Sequence, residues 1–164
     1  MTNPDDSLST VALVQNPAFG SLLLWQFGIA FQDENLTDNV LLPHCFLILP
    51  LALHSETLAL ISSTNQSSGL TQLTKKLSEK RELLYSLHDR AIQMRELTLE
   101  SIGTGISARL ISINYEEARL RSNASRAPKI PQRLKKQMSG VQKLGKWFAR
   151  LEPAQVFTLL RVEA

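Results

Sequence analysis

The sequence predicts a mainly α-helical protein with one small β-hairpin, in a winged-helix-like order of elements. Three observations lead there. Apolar residues recur at steps of three and four through most of the chain. The period changes to two only around residues 108–121, where Ile111 and Ile113 oppose Leu110, Ser112 and Asn114. A length of 164 residues suits one domain with a substantial core. We therefore expect a disordered lead-in over residues 1–15 and a single helical domain over 16–164, with the hairpin near 108–121.

The first helix is expected from Pro17 to about Phe31. Asn16 is a good cap and Pro17 suits the first helical position. Leu22, Leu23, Leu24, Trp25, Phe27, Ile29, Ala30 and Phe31 cover most of its circumference, and no residue between Pro17 and Gln32 is charged. QDENLTDN follows as a loop by composition. A second apolar element should run from Leu42 to about His54, with Pro43 in its first turn and a kink at Pro50. Ser62 to Gly69 reads as a mobile polar linker.

From Leu70 to Lys80, Leu70, Leu73 and Leu77 make a short amphipathic helix with Lys75, Lys76 and Lys80 facing solvent. A longer helix is expected from Arg81 to Gly103, ended by Gly103 and Gly105. Strands over Ala108–Asn114 and Ala118–Arg121 would form a hairpin around Tyr115-Glu116-Glu117, although that turn lacks glycine. NASRAPKIP is a flexible connection. The strongest periodicity then follows in Leu134, Met138, Val141, Leu144, Trp147, Phe148 and Leu151, with bases mostly opposite. Pro153 stops this helix and starts a final short one.

Composition excludes several classes. Hydrophobic content of 43% with 20% charged residues is ordinary for a folded globular chain rather than a disordered one. The single cysteine, Cys45, rules out an internal disulfide and suits a reducing cytoplasm. MTNPDDSLST has no basic residue, so it does not read as a signal peptide. The best membrane candidate, Val40 to Leu53, is short of the roughly 18 residues needed and is interrupted by Pro43, His44 and Pro50. A cytoplasmic protein without membrane contact is expected.

Charge is unevenly placed. Residues 1–60 hold no Lys or Arg and six acids, whereas residues 121–164 hold ten bases against Glu152 and Glu163. Either the two ends meet different partners, or they pack together and neutralise each other.

No catalytic, cofactor or metal site is expected. His44, His54 and His88 have no partner at metal-ligand spacing and read as structural. There is no phosphate-cradling GxxxxGK[ST], no GxGxxG and no GxSxG. Two binding readings remain. Nine bases and no acid lie between Arg121 and Arg150, and a basic helix after a hairpin is similar to the backbone-contacting part of a winged helix. Lys75, Lys76 and Lys80 would then stand where a recognition helix belongs, though Thr71, Gln72 and Thr74 are a thin set for reading base edges. A solvated basic face is the simpler explanation. Alternatively, two helices apolar nearly all round exceed what a domain this small encloses easily, which points to a subunit or homodimer interface.

Four stretches, NPAFGSLLLWQFGIAFQ, LPHCFLILPLALHSET, SSGLTQLTKKL and KLGKWFARLEPAQVFTLLRV, together resemble the middle components of three-component ABC systems. The resemblance covers most of the chain but not the hairpin or the Asn123–Pro131 linker. It implies a small non-catalytic subunit partnered with an SMC-like or RecN-like ABC ATPase and an effector, in bacterial defence against phage and other invading DNA. It supplies no catalytic residues.

The expected function is thus an adaptor linking an ABC-type ATPase to an effector, with DNA reached through the complex and a homodimer as a further option. Phe19, Leu23, Trp25 and Phe27 are assigned to the core or a subunit contact. Arg133, Lys136, Lys143 and Lys146 are assigned to an acidic partner or a DNA backbone. A free-standing winged-helix DNA-binding regulator is the alternative.

Overall fold

The chain wraps its later elements around its first helix. In the computed structural model, which describes residues 15–123, 126 and 128–162, helix α1 spans Pro17–Glu34. Its cap is as expected: the Asn16 Oδ1 accepts from the N–H groups of Ala18 (2.9 Å) and Phe19 (3.4 Å). The expected lead-in falls almost wholly outside the described residues.

A two-residue strand β1 (Val40–Leu41) leads into α2 (Leu42–Ala52) and α3 (Ser55–Ser63). Pro50 stays inside α2, and the change of direction, 98°, comes after it, between Ala52 and Ser55. A 3-10 turn at Gln66–Ser68 precedes α4 (Gly69–Glu79), α5 (Arg81–Gln93) and α6 (Arg95–Ser107). Strands β2 (Ile111–Asn114) and β3 (Arg119–Ser122) follow, then α7 (Lys135–Ala149) and α8 (Pro153–Leu160). Eight helices and a small antiparallel sheet make a mostly helical fold among the described residues.

Two expectations of the helical middle are corrected. The single helix predicted from Arg81 is broken at Met94, which separates α5 from α6. Gly103 and Gly105 do not end a helix; both lie within α6. Gly105 is there for close approach, because a Cβ on it would meet Ile111 Cδ1 at 2.6 Å.

The predicted hairpin gains a third strand. The sheet order is β1-β3-β2, with Val40 opposite Leu120, and Ile113 opposite Leu120 from the other side. Its turn closes without glycine because the Asn114 Oδ1 accepts from the N–H groups of Glu116 (3.1 Å) and Glu117 (3.2 Å). Ala118 takes the left-handed conformation at φ 51°. A helix, a short strand, further helices and a hairpin that re-pairs with the strand form a connectivity compatible with a winged helix enlarged by extra helices.

One apolar cluster runs from Phe19 to Leu160. At its centre α7 lies along α1. Gly145 brings the two backbones together, since a Cβ there would meet the Phe27 carbonyl oxygen at 2.5 Å and Ala30 Cβ at 2.8 Å. Phe27 and Phe148 meet edge to face at 5.3 Å beside this seam. Each is fully buried, a contribution of roughly 1.5–3 kcal/mol per ring. β3 closes a second side of α1: Gly28 lets Ser122 approach, and the Ser122 hydroxyl donates to the Trp25 carbonyl at 2.8 Å. The Gln32 amide pairs with the Ser122 backbone in both directions, 2.7 and 3.1 Å. An all-round apolar helix is satisfied by cover on every side. α2 is enclosed too, with Leu47, Ile48, Leu49 and Leu51 at most 1% exposed. Little of the apolar surplus expected on these two helices is left at their surfaces, chiefly Pro43 and part of Phe46 on α2.

Candidate interaction surfaces

The four apolar candidates lie inside the chain. Phe19, Leu23, Trp25 and Phe27 are each at most 4% exposed. Trp25 satisfies its one polar atom by donating from Nε1 to the Asn123 carbonyl at 2.9 Å, so the indole is locked to the segment leaving β3. These residues are placed in the core.

The four basic candidates separate into different roles. Arg133 and Lys136 are exposed at the start of α7, beside exposed Lys135. No acid occupies the first turn of that helix, so three cations crowd its positive end. Lys143, in contrast, points inward along the seam between α7 and α3. Its Nζ donates to the carbonyls of Ile61 (3.3 Å), Ser62 (3.1 Å) and Thr64 (2.9 Å). It caps the carbonyl end of α3, where the helix dipole favours a cation. Lys146 is half-buried and makes no hydrogen bond or ion pair among the described residues. The proposed basic face thus loses Lys143 to a structural role.

Other donors converge on the same loop. Lys76 Nζ donates to the Ser63 carbonyl at 3.0 Å, while Trp147 Nε1 and Arg150 Nη1 both donate to the Gln66 carbonyl, at 2.9 and 3.0 Å. The Ser62–Gly69 segment, expected to be mobile, is tied down by side chains from α4 and α7. Lys76 is also removed from the set assigned to a recognition helix. That assignment fails on topology as well, because α4 is third of the five helices between β1 and β2, and α6 is the one that leads into β2. α6 exposes Glu96 and Glu100, which a phosphate backbone would repel.

Of the groups expected to be structural, His44 and His54 have identifiable partners, whereas His88 is half-buried and its Nδ1 has no hydrogen-bond partner among the described residues. His44 is buried between the rings of Phe148 (5.3 Å) and Phe157 (5.1 Å), and its Nε2–H donates to the Pro153 carbonyl at 3.4 Å. Burial holds its pKa below the ordinary histidine value, against the opposing pull of that carbonyl. His54 caps α3: its Nδ1 accepts from the Thr57 hydroxyl (2.9 Å) and N–H (3.4 Å). Its pKa is also lowered, first by burial and then by Arg90, with Glu56 opposing. Arg90 Nη2 reaches the same Thr57 hydroxyl at 3.3 Å. Cys45 is wholly buried, and burial pushes its thiol up to about 12. Among the described residues, no three His, Cys, Asp or Glu side chains gather as a metal site would require.

The two ends of the chain do pack together, but scarcely by neutralising each other. The one salt bridge among the described residues is Arg150 to Glu34, at 3.5 Å and partly exposed. Lys76, Arg119, Lys143 and Arg150 instead hold backbone carbonyls.

Sequence reasoning missed a third surface. Six large apolar side chains are exposed among the described residues, and four of them, Tyr85, Ile92, Leu99 and Ile106, recur at every seventh position along α5 and α6. A seven-step count of the sequence finds them, but the i, i+3 and i+4 pattern of the buried leucines in the same helices draws attention away. Beside Ile92 a groove of about 320 Å³ opens between α5, α2 and α8, lined by Pro43, Phe46, His88 and Phe157.

Fold and surfaces define a small, mostly helical protein whose polar anchors stitch its own backbone and whose α5 and α6 expose a series of large apolar side chains, the first of which, Tyr85, lies under the Arg161 guanidinium at 5.7 Å. No single helix among the described residues is long and apolar enough to cross a membrane. The chain belongs to the ABC-three component (ABC-3C) system Middle Component 3 family, whose model matches residues 5–164. Comparisons with curated proteins and with solved structures returned no match.

Proposed function

We propose that this protein is a non-catalytic, cytoplasmic adaptor that joins an ABC-type ATPase to an effector in a complex acting against phage and other invading DNA. The observation that carries this reading is the family match over residues 5–164, which makes the chain a component of a three-part ABC system. The titratable groups support the non-catalytic part. His44 is wedged between aromatic rings, His54 holds a helix cap, and Cys45 is enclosed with its thiol strongly protonated. None is offered to a substrate.

The surfaces support the linking part. An adaptor needs two separate contacts, and the chain has two unlike ones: the cationic start of α7 with Arg133, Lys135 and Lys136, and the acidic, apolar outer side of α5–α6. The free-standing regulator is less well supported, because the helix before the hairpin exposes Glu96 and Glu100, which phosphates repel.

Co-expression with the ATPase and effector encoded beside it tests the proposal. A stable three-part complex is expected, together with weak duplex binding by the chain alone. Failure of the ATPase to co-purify, or tight salt-sensitive binding of a specific duplex by the isolated chain, would overturn it.

A further inference from the structure

We infer that the outer face of α5–α6 is the docking site for an amphipathic helix of a partner whose apolar ridge is flanked along one edge by Lys or Arg. This deepens the adaptor reading and rests on it only for the partner's place in the complex. Tyr85, Ile92, Leu99 and Ile106 are 59%, 60%, 50% and 38% exposed, although each is an apolar or aromatic side chain of large area. Seven residues are 700° of helix, so a seven-step series drifts only about 20° per step and keeps to one face. The series crosses the break at Met94, with Tyr85 and Ile92 on α5 and Leu99 and Ile106 on α6. The Met94 N–H still donates to the Arg90 carbonyl (2.9 Å), and its own carbonyl accepts from the Thr98 N–H (2.9 Å). On each helix the two ridge residues are one heptad apart, roughly 10.5 Å.

What should cover it is indicated by charge. Glu82, Asp89 and Glu96 follow the same seven-residue register, each three positions before a ridge residue, and all three are exposed. Glu100 extends that edge. In helix pairs, the residues flanking an apolar seam select the partner by opposite charge. An edge of acids therefore selects a helix with bases on the facing edge. Antiparallel self-pairing would set acidic edge against acidic edge, and the opposite edge of the ridge carries the exposed Arg81 and Arg95, four positions before Tyr85 and Leu99. Gly103, where a Cβ would meet nothing within 4 Å, continues the acidic register and leaves room for a bulky side chain of the incoming helix. The groove at Phe46 and Phe157 adjoins Ile92 and extends the apolar surface toward α8.

Two synthetic three-heptad peptides test this directly, with the same leucine ridge and with either Lys or Glu at the flanking positions. Fluorescence anisotropy should show the Lys peptide binding at least about tenfold tighter than the Glu peptide. Leu99→Asp should weaken the Lys peptide by a similar factor, and Leu36→Asp, in the loop after α1, should leave it unchanged. The double variant Asp89→Lys, Glu96→Lys should reverse the preference. All four are exposed positions, and circular dichroism checks that each variant is folded. Equal binding of the two peptides, or indifference to Leu99→Asp, overturns the inference. So does a dimer of the chain, seen by sedimentation, that Leu99→Asp dissolves. The result is independent of whether an ATPase co-purifies, so failure of the adaptor reading is seen separately.

Discussion

Gly145 lies against the backbone of Phe27. The Cα hydrogen of one helix occupies the space in which any side chain would strike the carbonyl oxygen of the other, and Phe31 N stands 3.0 Å from the same point. Backbone cannot step aside as a flexible side chain does. Gly145→Ala should therefore cost about 1–3 kcal/mol even after its gain in helix propensity. Gly103→Ala, on an open face of α6, should stabilise by about 0.5–1 kcal/mol. Urea denaturation of the two variants gives opposite signs if the seam is as close as described.

Lys143 and Lys136 sit on the same helix and differ in what they touch. Lys143→Met leaves three carbonyls at the end of α3 without their donor and should destabilise by about 1–3 kcal/mol. Lys136→Met should stay within about 0.5 kcal/mol. Thermal melts distinguish them. Tests of the basic face by charge reversal belong at Arg133 and Lys136, since a reversal at Lys143 reads as lost folding.

The thiol of Cys45 should be silent. With the side chain buried and its pKa pushed up to about 12, no thiolate is available to a water-soluble alkylating reagent at neutral pH. Labelling followed by mass spectrometry should give no adduct in native buffer and one adduct in denaturant. Prompt labelling of the native protein would contradict the placement of α2.

Acid should weaken the fold through two histidines. His44 and His54 both have folded pKa values below the ordinary value of about 6.5. Between the lowered value and 6.5 the unfolded chain binds more protons, so their contribution is fully present above about 6.5 and is lost as pH falls through the lowered values. Protonated His54 also cannot accept from Thr57 at Nδ1. His44→Leu with His54→Asn, the latter keeping a cap, should flatten the part of the melting-temperature profile just below pH 6.5. An unchanged slope would remove both groups from the account.

The helices were legible where one physical rule decides them. Asn16-Pro17 can do little else than start a helix, and the steps from Leu134 to Phe148 fix the buried side of α7 without further information. What stayed hidden depended on partners remote in sequence. Nothing near Lys143 announces that its ammonium reaches Thr64, and nothing near Gly105 says that Ile111 will press on it. Val40 and Leu41 read as the head of the apolar run to Leu53 until β3 supplies their ladder. The ridge was hidden for another reason: Leu99 and Ile106 are as apolar as Leu97 and Ile102, and only the fold reveals which pair meets water.

The cover over α1 has a consequence for how the protein is made. A ribosome delivers Leu23, Phe27 and Phe31 long before it delivers the helix that encloses them; Glu34 and Arg150, paired across that seam, are 116 positions apart. Synthesis proceeds from the N-terminus, and apolar surface left waiting is prone to aggregate. Until Lys135–Ala149 has been made, the nascent chain carries the apolar faces of α1 without the helix that covers them. A product that stops before Lys135 is then not a smaller version of the domain but a substrate for degradation.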